Sequence, residues 1–373
     1  MVYFDYNATA PLSPEARAAW LAASSDLIGN ASSPHRLGSR AEVALDQARA
    51  RLANLFGCKP LDIVWTSGAT ESNNTVLHHI ARSAAADDEV WISSIEHPCV
   101  LAAAKHFFPH RVRWIPVGAD GIVALDWIDQ SLRARRPALV AVMAANNETG
   151  ILQPWREIAA LCAQAEVPFF CDAAQWCGKL PVAGLGVCDF VSGCAHKFGG
   201  PKGVGFLKSA RKKIIPLLLG GEQEDGRRAG TENVAGVLAM LAALENCEGR
   251  LARGEHQLHQ THRDRFEADL LVHLPECRIL GQHSPRLWNT SFFLTPPADG
   301  RFRWIVKLDK AGFAVSTGSA CASGSEKPSH VLAALGHTQD EATRALRCSS
   351  GWETRPEDWQ ALLDAILQIA SEV

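Results

Sequence analysis

The chain has 373 residues, 47% of them hydrophobic and 21% charged, with 37 Lys and Arg against 40 Asp and Glu for a formal net charge of -3. This ordinary globular usage excludes a disordered, collagen-like or coiled-coil chain and suits two or three domains. The near-even charge gives no electrostatic case for wrapping nucleic acid or an anionic membrane, and eleven cysteines without framework spacing argue for a reducing cytoplasm rather than a disulfide-stapled secreted fold.

In chain order, Met1 to Pro11 lacks the basic start of a cleaved signal and carries Asp5 inside its only apolar stretch. Ser13-Pro14-Glu15 reads as an N-cap with Pro at the first helical position, and Ala41 to Phe56 as an amphipathic helix stopped at Gly57. Short β-rich runs follow at Ile63 to Thr66, Val90 to Ser93, Val112 to Val117, Leu139 to Ala144, Phe169 to Asp172 and Phe190 to Ser192. Several are followed by a helical pattern, which predicts βαβ units and a mostly parallel sheet covered by helices on both faces. The Ala/Leu-rich run Val234 to Leu244 is too short to span a bilayer. Helical stretches are expected at Asn233 to Asn246 and Leu251 to Leu271, then strands near Ser291 to Leu294, Phe313 to Ser316 and Arg344 to Cys348. Thr354-x-x-Glu357 reads as a capping box opening a last helix whose Trp359, Leu362, Leu363, Ile366 and Ile369 share one face. The expected organisation is a large α/β domain over 15–250 and a smaller α+β domain built from 1–14 and 251–373.

Ligands of open α/β sheets sit beyond the carboxyl ends of the strands, so the residues just after each run carry the most weight. Ser67-Gly68-Ala69-Thr70-Glu71-Ser72-Asn73-Asn74 is a small-residue turn entering a helix. Its free N–H groups and the Thr70 hydroxyl suit a phosphate, and taken alone they also suit an ordinary N-cap. No G-x-x-x-x-G-K-[ST] or G-x-G-x-x-G occurs, which disfavours a nucleotide triphosphate or dinucleotide. Glu96-His97-Pro98 offers either a helix-start histidine or a catalytic one, and Asn146 to Gly150 is by itself good turn chemistry. Asp172, ending a buried strand, needs a cationic partner because an unpaired buried charge is costly. Lys197, among apolar and glycine residues, is either a surface lysine or an amine of lowered pKa able to condense with an aldehyde. Together these segments supply a phosphate cradle, a carboxylate for a ring nitrogen and a Schiff-base lysine, the protein's share of pyridoxal phosphate chemistry.

Asp5-Tyr6-Asn7-Ala8-Thr9, Thr66 to Asn74, Asn146 to Gly150, Asp172-Ala173-Ala174-Gln175, His196-Lys197, Gly230-Thr231-Glu232-Asn233 and Ser316 to Cys321 resemble, in order along nearly the whole chain, the cysteine desulfurases of the class V aminotransferase family. The resemblance implies a type I pyridoxal-phosphate fold, α/β with a large mostly parallel domain and a smaller α+β domain, acting as a homodimer. It assigns Lys197 to the Schiff base, Asp172 to the pyridine nitrogen and His97 to stacking on the ring. Gln175 and Asn147 would bond the phenolic oxygen or neighbouring ring atoms. Ala69, Thr70 and His196 would hold the phosphate, with Thr231 reaching in from the other subunit, and Arg347 would grip the substrate carboxylate with its bidentate fork. Cys321, in a stretch of small residues with little to bury, would be the nucleophile that takes sulfur from L-cysteine as a persulfide. Lys197 would move the Cα proton, His97 would handle the substrate thiol's proton, and alanine would be left.

Cys194 stands where the family usually has a hydroxyl residue on the phosphate, so weaker cofactor retention is expected. The chain ends soon after Arg347, where housekeeping desulfurases carry a longer tail that docks a cluster scaffold, so a different sulfur acceptor is expected. That acceptor, a cluster scaffold or a thiolation carrier, is not named by the sequence. Cys171, Cys177, Cys188 and Cys194 are too widely spaced for zinc and read as buried reduced thiols. His256, His259 and His262 read as one face of a solvated helix rather than a metal face. The competing functions are a selenocysteine lyase, which depends less on Cys321, and a catalytically idle binding protein.

Overall fold

The computed structural model describes residues 1–210, 213–297, 302–317 and 329–372; Cys321 lies outside them. The first segment contains strand β1 (Val2–Tyr3) and helices α1 (Pro14–Asp26) and α2 (Arg36–Phe56). The Ser13 side chain accepts from the Ala16 amide to cap α1, with Pro14 inside the first turn. Helix α2 starts earlier than the apolar pattern indicated because His35, through Nδ1, accepts from the Gly38 amide; it ends at Gly57 in the left-handed region, φ 73°.

The central layer then alternates as expected: β2 (Ile63–Thr66), α3 (Ala69–Ser83), β3 (Val90–Ser93), α4 (Pro98–Phe107), β4 (Val112–Ile115), α5 (Leu125–Ala134), β5 (Leu139–Ala141), α6 (Trp155–Gln164), β6 (Phe169–Asp172), β7 (Phe190–Cys194) and β8 (Gly205–Ser209). They form one seven-stranded sheet in the order β2-β8-β7-β6-β5-β3-β4. Pairings among β3 to β7 are parallel, whereas β8 lies antiparallel to both β2 and β7. Alternate side chains feed two cores, as the twofold period of a strand requires. Trp65, Phe169, Cys171 and Phe206 pack with α2, α6 and the following helix α7 (Val234–Ala252), while Val64, Phe170 and Leu207 pack with α3 and α4.

The remainder comprises α8 (Glu255–His273), β9 (Arg278–Ile279), β10 (Thr290–Leu294), α9 (Trp304–Lys310), β11 (Phe313–Ala314), α10 (His330–Ala334), α11 (Gln339–Thr343), β12 (Ala345–Ser349) and α12 (Pro356–Ala370). Strands β12-β10-β9 form an antiparallel sheet, and β1 pairs with β11. Phe4, Phe266, Phe293, Leu346, Trp359 and Ile366 share a separate core there. No described helix is long and apolar enough to cross a membrane.

Three local expectations are corrected. Helix α7 runs to Ala252 and breaks at Gly254, φ 76°, because Gly249 is tolerated inside it. Helix α12 is capped by Arg355 with Asp358 at the third position, not by Thr354 and Glu357. Pro356 sits at the first helical position, so the extended residue before it is Arg355, and the Thr354 hydroxyl instead accepts from the Gly351 amide. The histidine row of α8 is not a solvated face: His259 is buried, with ring centroids 5.3 Å from Trp288 and 5.7 Å from Trp352. Among the described residues no cluster could hold a metal ion.

Candidate active site

Strand order reverses between β3 and β5, and the carboxyl edge there and at β6 and β7 collects Glu96-His97, Asn146-Asn147, Asp172 and Cys194 to Lys197. A turn through Gly68 brings the start of α3 to the same edge. It can do so because β8 presents Gly205: a Cβ there would lie 2.5 Å from the Gly193 carbonyl oxygen and 2.6 Å from the Gly68 Cα, a backbone approach only glycine allows.

Asp172 is buried, with Oδ2 accepting from Asn73 Nδ2 of α3 at 2.7 Å and Oδ1 from the Ala174 amide at 2.9 Å. His97 caps α4, its Nδ1 accepting from the Cys99 amide at 3.2 Å and lying 2.9 Å from the Cys99 sulfur. Burial lowers the His97 pKa, with Lys197 and His330 adding to the effect against Asp172, so the imidazole is neutral at pH 7. Burial beside Asp172 pushes Cys99 up to about 12, which leaves it a thiol. Thr70, the expected phosphate donor, lies in the first turn of α3, its carbonyl accepting from Asn74 Nδ2 at 2.9 Å. Burial lifts Cys194 to about 11.

Lys197 closes a single helical turn after β7, its Nζ donating to the carbonyl oxygens of Asn7 at 2.5 Å and Ala8 at 2.9 Å. Burial lowers its pKa, the direction that favours a nucleophilic amine. His196 meets the Thr9 hydroxyl at 3.2 Å and is driven down to about 4 by burial and by Lys197, Lys202 and Lys179. Gln175 donates from Nε2 to the Asn7 carbonyl at 2.8 Å and accepts from Lys179 Nζ at 2.5 Å. Arg347, on β12, donates to Asp5 Oδ1 at 2.6 Å and to the Asn147 carbonyl at 2.7 Å. Thr231 is exposed on the segment entering α7 and makes no hydrogen bond to these groups among the described residues. That segment is tied to the turn before α3 through Arg228, which donates to Glu71 at 2.9 Å, while Glu71 accepts from the Ser67 amide at 2.8 Å.

Four residues at the site had no role assigned from the sequence. Asn7 is a hub: beside its carbonyl contacts, its side chain bonds Thr290 at 2.9 Å and Asn289 at 3.1 Å. Asn73 holds Asp172, Lys179 holds Gln175, and Cys99 holds His97. Asn7 and Asn73 stand inside motifs that were already singled out, which was the available signal; Cys99 and Lys179 carried none. The assembled groups can bind an aromatic aldehyde covalently through Lys197, place a carboxylate against a ring nitrogen, and receive an anion at the start of α3.

Residues 2–362 match the family described as Aminotransferase class-V. A curated cysteine desulfurase from Cereibacter sphaeroides is 39% identical over 99% of this chain and 94% of its own length. A solved NifS-like protein is 31% identical with a TM-score of 0.89, covering 100% of both chains. A second structure, of SspA in complex with cysteine, is 29% identical with a TM-score of 0.79 over 94% of this chain and 98% of that one.

Proposed function

The chain belongs to the cysteine desulfurases of the class-V aminotransferase family, and from that premise we propose how its own residues carry out pyridoxal-phosphate-dependent sulfur removal from L-cysteine. The residues present fit the cofactor. Asp172 keeps lone-pair capacity beyond its two bonds, enough to accept a pyridinium N–H. The first turn of α3 offers backbone N–H groups to a phosphate, and His97 stands beside them. When bound, the cofactor supplies an electron sink for the carbanion at the substrate Cα. Ala69, Thr70, Cys194 and His196 hold its phosphate, with Thr231 contributed across a homodimer, while Gln175 and Asn147 orient its ring oxygen.

Arg347 binds the substrate carboxylate. The Lys197 amine takes the Cα proton, and His97, neutral at pH 7, takes the proton of the substrate thiol. A Cys321 thiolate then attacks the substrate sulfur: the S–S bond forms, the C–S bond breaks, and its electron pair returns to the carbon that becomes the methyl of alanine. The persulfide so formed passes to an acceptor protein in iron–sulfur cluster or thio-cofactor biosynthesis in the cytoplasm. The homodimer is supported by apolar side chains exposed on and beside α1, with Leu21 62% and Ile28 71% exposed.

The observation that carries this reading is a buried lysine of lowered pKa, gripped by two carbonyls at the edge where Asp172 also lies. The test is an absorbance spectrum of the purified protein, followed by L-cysteine and simultaneous assay of alanine and sulfide with a reductant. The expected outcome is a cofactor band lost in Lys197→Ala and equal alanine and sulfide abolished by Cys321→Ala. Sulfur release that survives Cys321→Ala, with L-selenocysteine preferred, would instead indicate a selenocysteine lyase. A protein that stays colourless with added cofactor would refute the reading.

A further inference from the structure

The contacts around His97 include one group that the desulfurase reaction does not call on. Cys99 lies in the first turn of α4, half-buried, and its sulfur meets one partner from α3 and one from the loop between β3 and α4. It accepts from Asn73 Nδ2 at 3.2 Å and sits 2.9 Å from His97 Nδ1. Asn73 Nδ2 also donates to Asp172 Oδ2. One bonded chain therefore runs from the Asp172 carboxylate through the Asn73 amide and the Cys99 sulfur to the imidazole.

A cysteine in a sulfur-transferring site invites a role as a second sulfur carrier, but this one lacks the thiolate that such chemistry requires. Held as a thiol, it has one hydrogen to give. The Asn73 amide approaches as a donor, so that hydrogen goes to His97 Nδ1, which the Cys99 backbone amide already addresses. Two donors aimed at Nδ1 require that nitrogen to be unprotonated.

We propose that Cys99 is a positioning residue for His97, its S–H fixing the ring orientation and confining the imidazole proton to Nε2. An imidazolium would turn an N–H on Nδ1 against both donors, so the same contact opposes protonation. The other charged or titratable groups facing His97 are Asp172 at the end of β6, Lys197 beyond β7 and His330 at the start of α10. All three stay in place when Cys99 is changed.

The inference rests on His97 being the imidazole beside the cofactor, yet its test does not depend on turnover. In the holoenzyme labelled with 15N-histidine, the ring nitrogens of His97, identified by their loss in His97→Gln, report tautomer and pKa directly. The wild type should show the Nε2–H tautomer. Cys99→Ala leaves the backbone amide donating to Nδ1, so it should weaken the preference for the Nε2–H tautomer and raise the His97 pKa by about half a pH unit, the size of one weak hydrogen bond. The acid limb of the kcat/KM profile should move up by the same amount. Cys99→Ser keeps a donor and should restore the wild-type tautomer and pKa. An Nδ1–H tautomer in the wild type, which needs no variant to observe, would overturn the proposal. So would a Cys99→Ala protein with unaltered His97 tautomer and pKa. Loss of desulfurase activity with the His97 signals intact would count against the reaction assigned above and leave the Cys99–His97 pairing supported.

Discussion

Replacing Lys179 by methionine should stabilise the protein near neutral pH. The Lys179 ammonium is fully enclosed, and burial, reinforced by Lys197, lowers its pKa from 10.5 to about 7. The unfolded chain binds a proton at this lysine below pH 10.5, whereas the folded protein does so only near pH 7. Between those values the unfolded state carries the extra proton, so wild-type stability rises with pH by about 1.4 kcal/mol per unit from this group. Across the whole window the penalty reaches roughly 5 kcal/mol, and below pH 7 it is constant. In Lys179→Met the penalty is gone, while the lost bond to Gln175 Oε1 costs about 1 kcal/mol at every pH. Urea unfolding followed by circular dichroism at pH 7, 8, 9 and 10, at fixed protein and cofactor concentration, gives the difference between the two proteins. That difference should be largest at pH 7 and shrink steadily toward pH 10. A difference that stays constant across this range would show that the amine is not held uncharged and would refute the reasoning.

Two further outcomes follow from single contacts. Glu224, left-handed at φ 51° and buried, bonds both Arg49 guanidinium nitrogens at 2.8 and 2.9 Å and the Trp65 amide at 3.0 Å. Glu224→Ala should therefore cost about 3–5 kcal/mol, a fall in Tm of roughly 4–6 °C for a chain this long; a loss under about 1 kcal/mol by calorimetry would contradict it. Cys194→Ser places a stronger hydrogen-bonding group at the proposed phosphate site, and should tighten the cofactor dissociation constant by about 2- to 10-fold. Unchanged or weaker binding would dispose of that idea.

The parallel core was readable from pattern because buried parallel strands are continuous apolar runs. Val90 to Ser93 and Phe169 to Asp172 needed no further context, and the polar clusters following them marked the carboxyl edge. Strand β8 was not readable: Gly-Phe-Leu-Lys-Ser offers only two apolar side chains, and its Lys208 is buried by donating to the Gly186 and Cys188 carbonyls, partners about twenty residues away along the chain. Chemical type marked Lys197 and Asp172, since an amine or a carboxylate at the end of an apolar run needs a reason.

The residues that hold them carry no such mark. Asn7 reaches the site because β1 pairs with β11 and the next residues bridge to Ser349, and Asn73 because α3 lies across the end of β6. Cys99 resembles any small residue in a helical turn until α3 brings Asn73 against it. The elements and the reacting groups are thus written in local periodicity and side-chain chemistry, which act over a few residues. The partners that orient Lys197 and Asp172 come from packing, which joins residues such as Asn7 and Thr290 that local chemistry cannot relate.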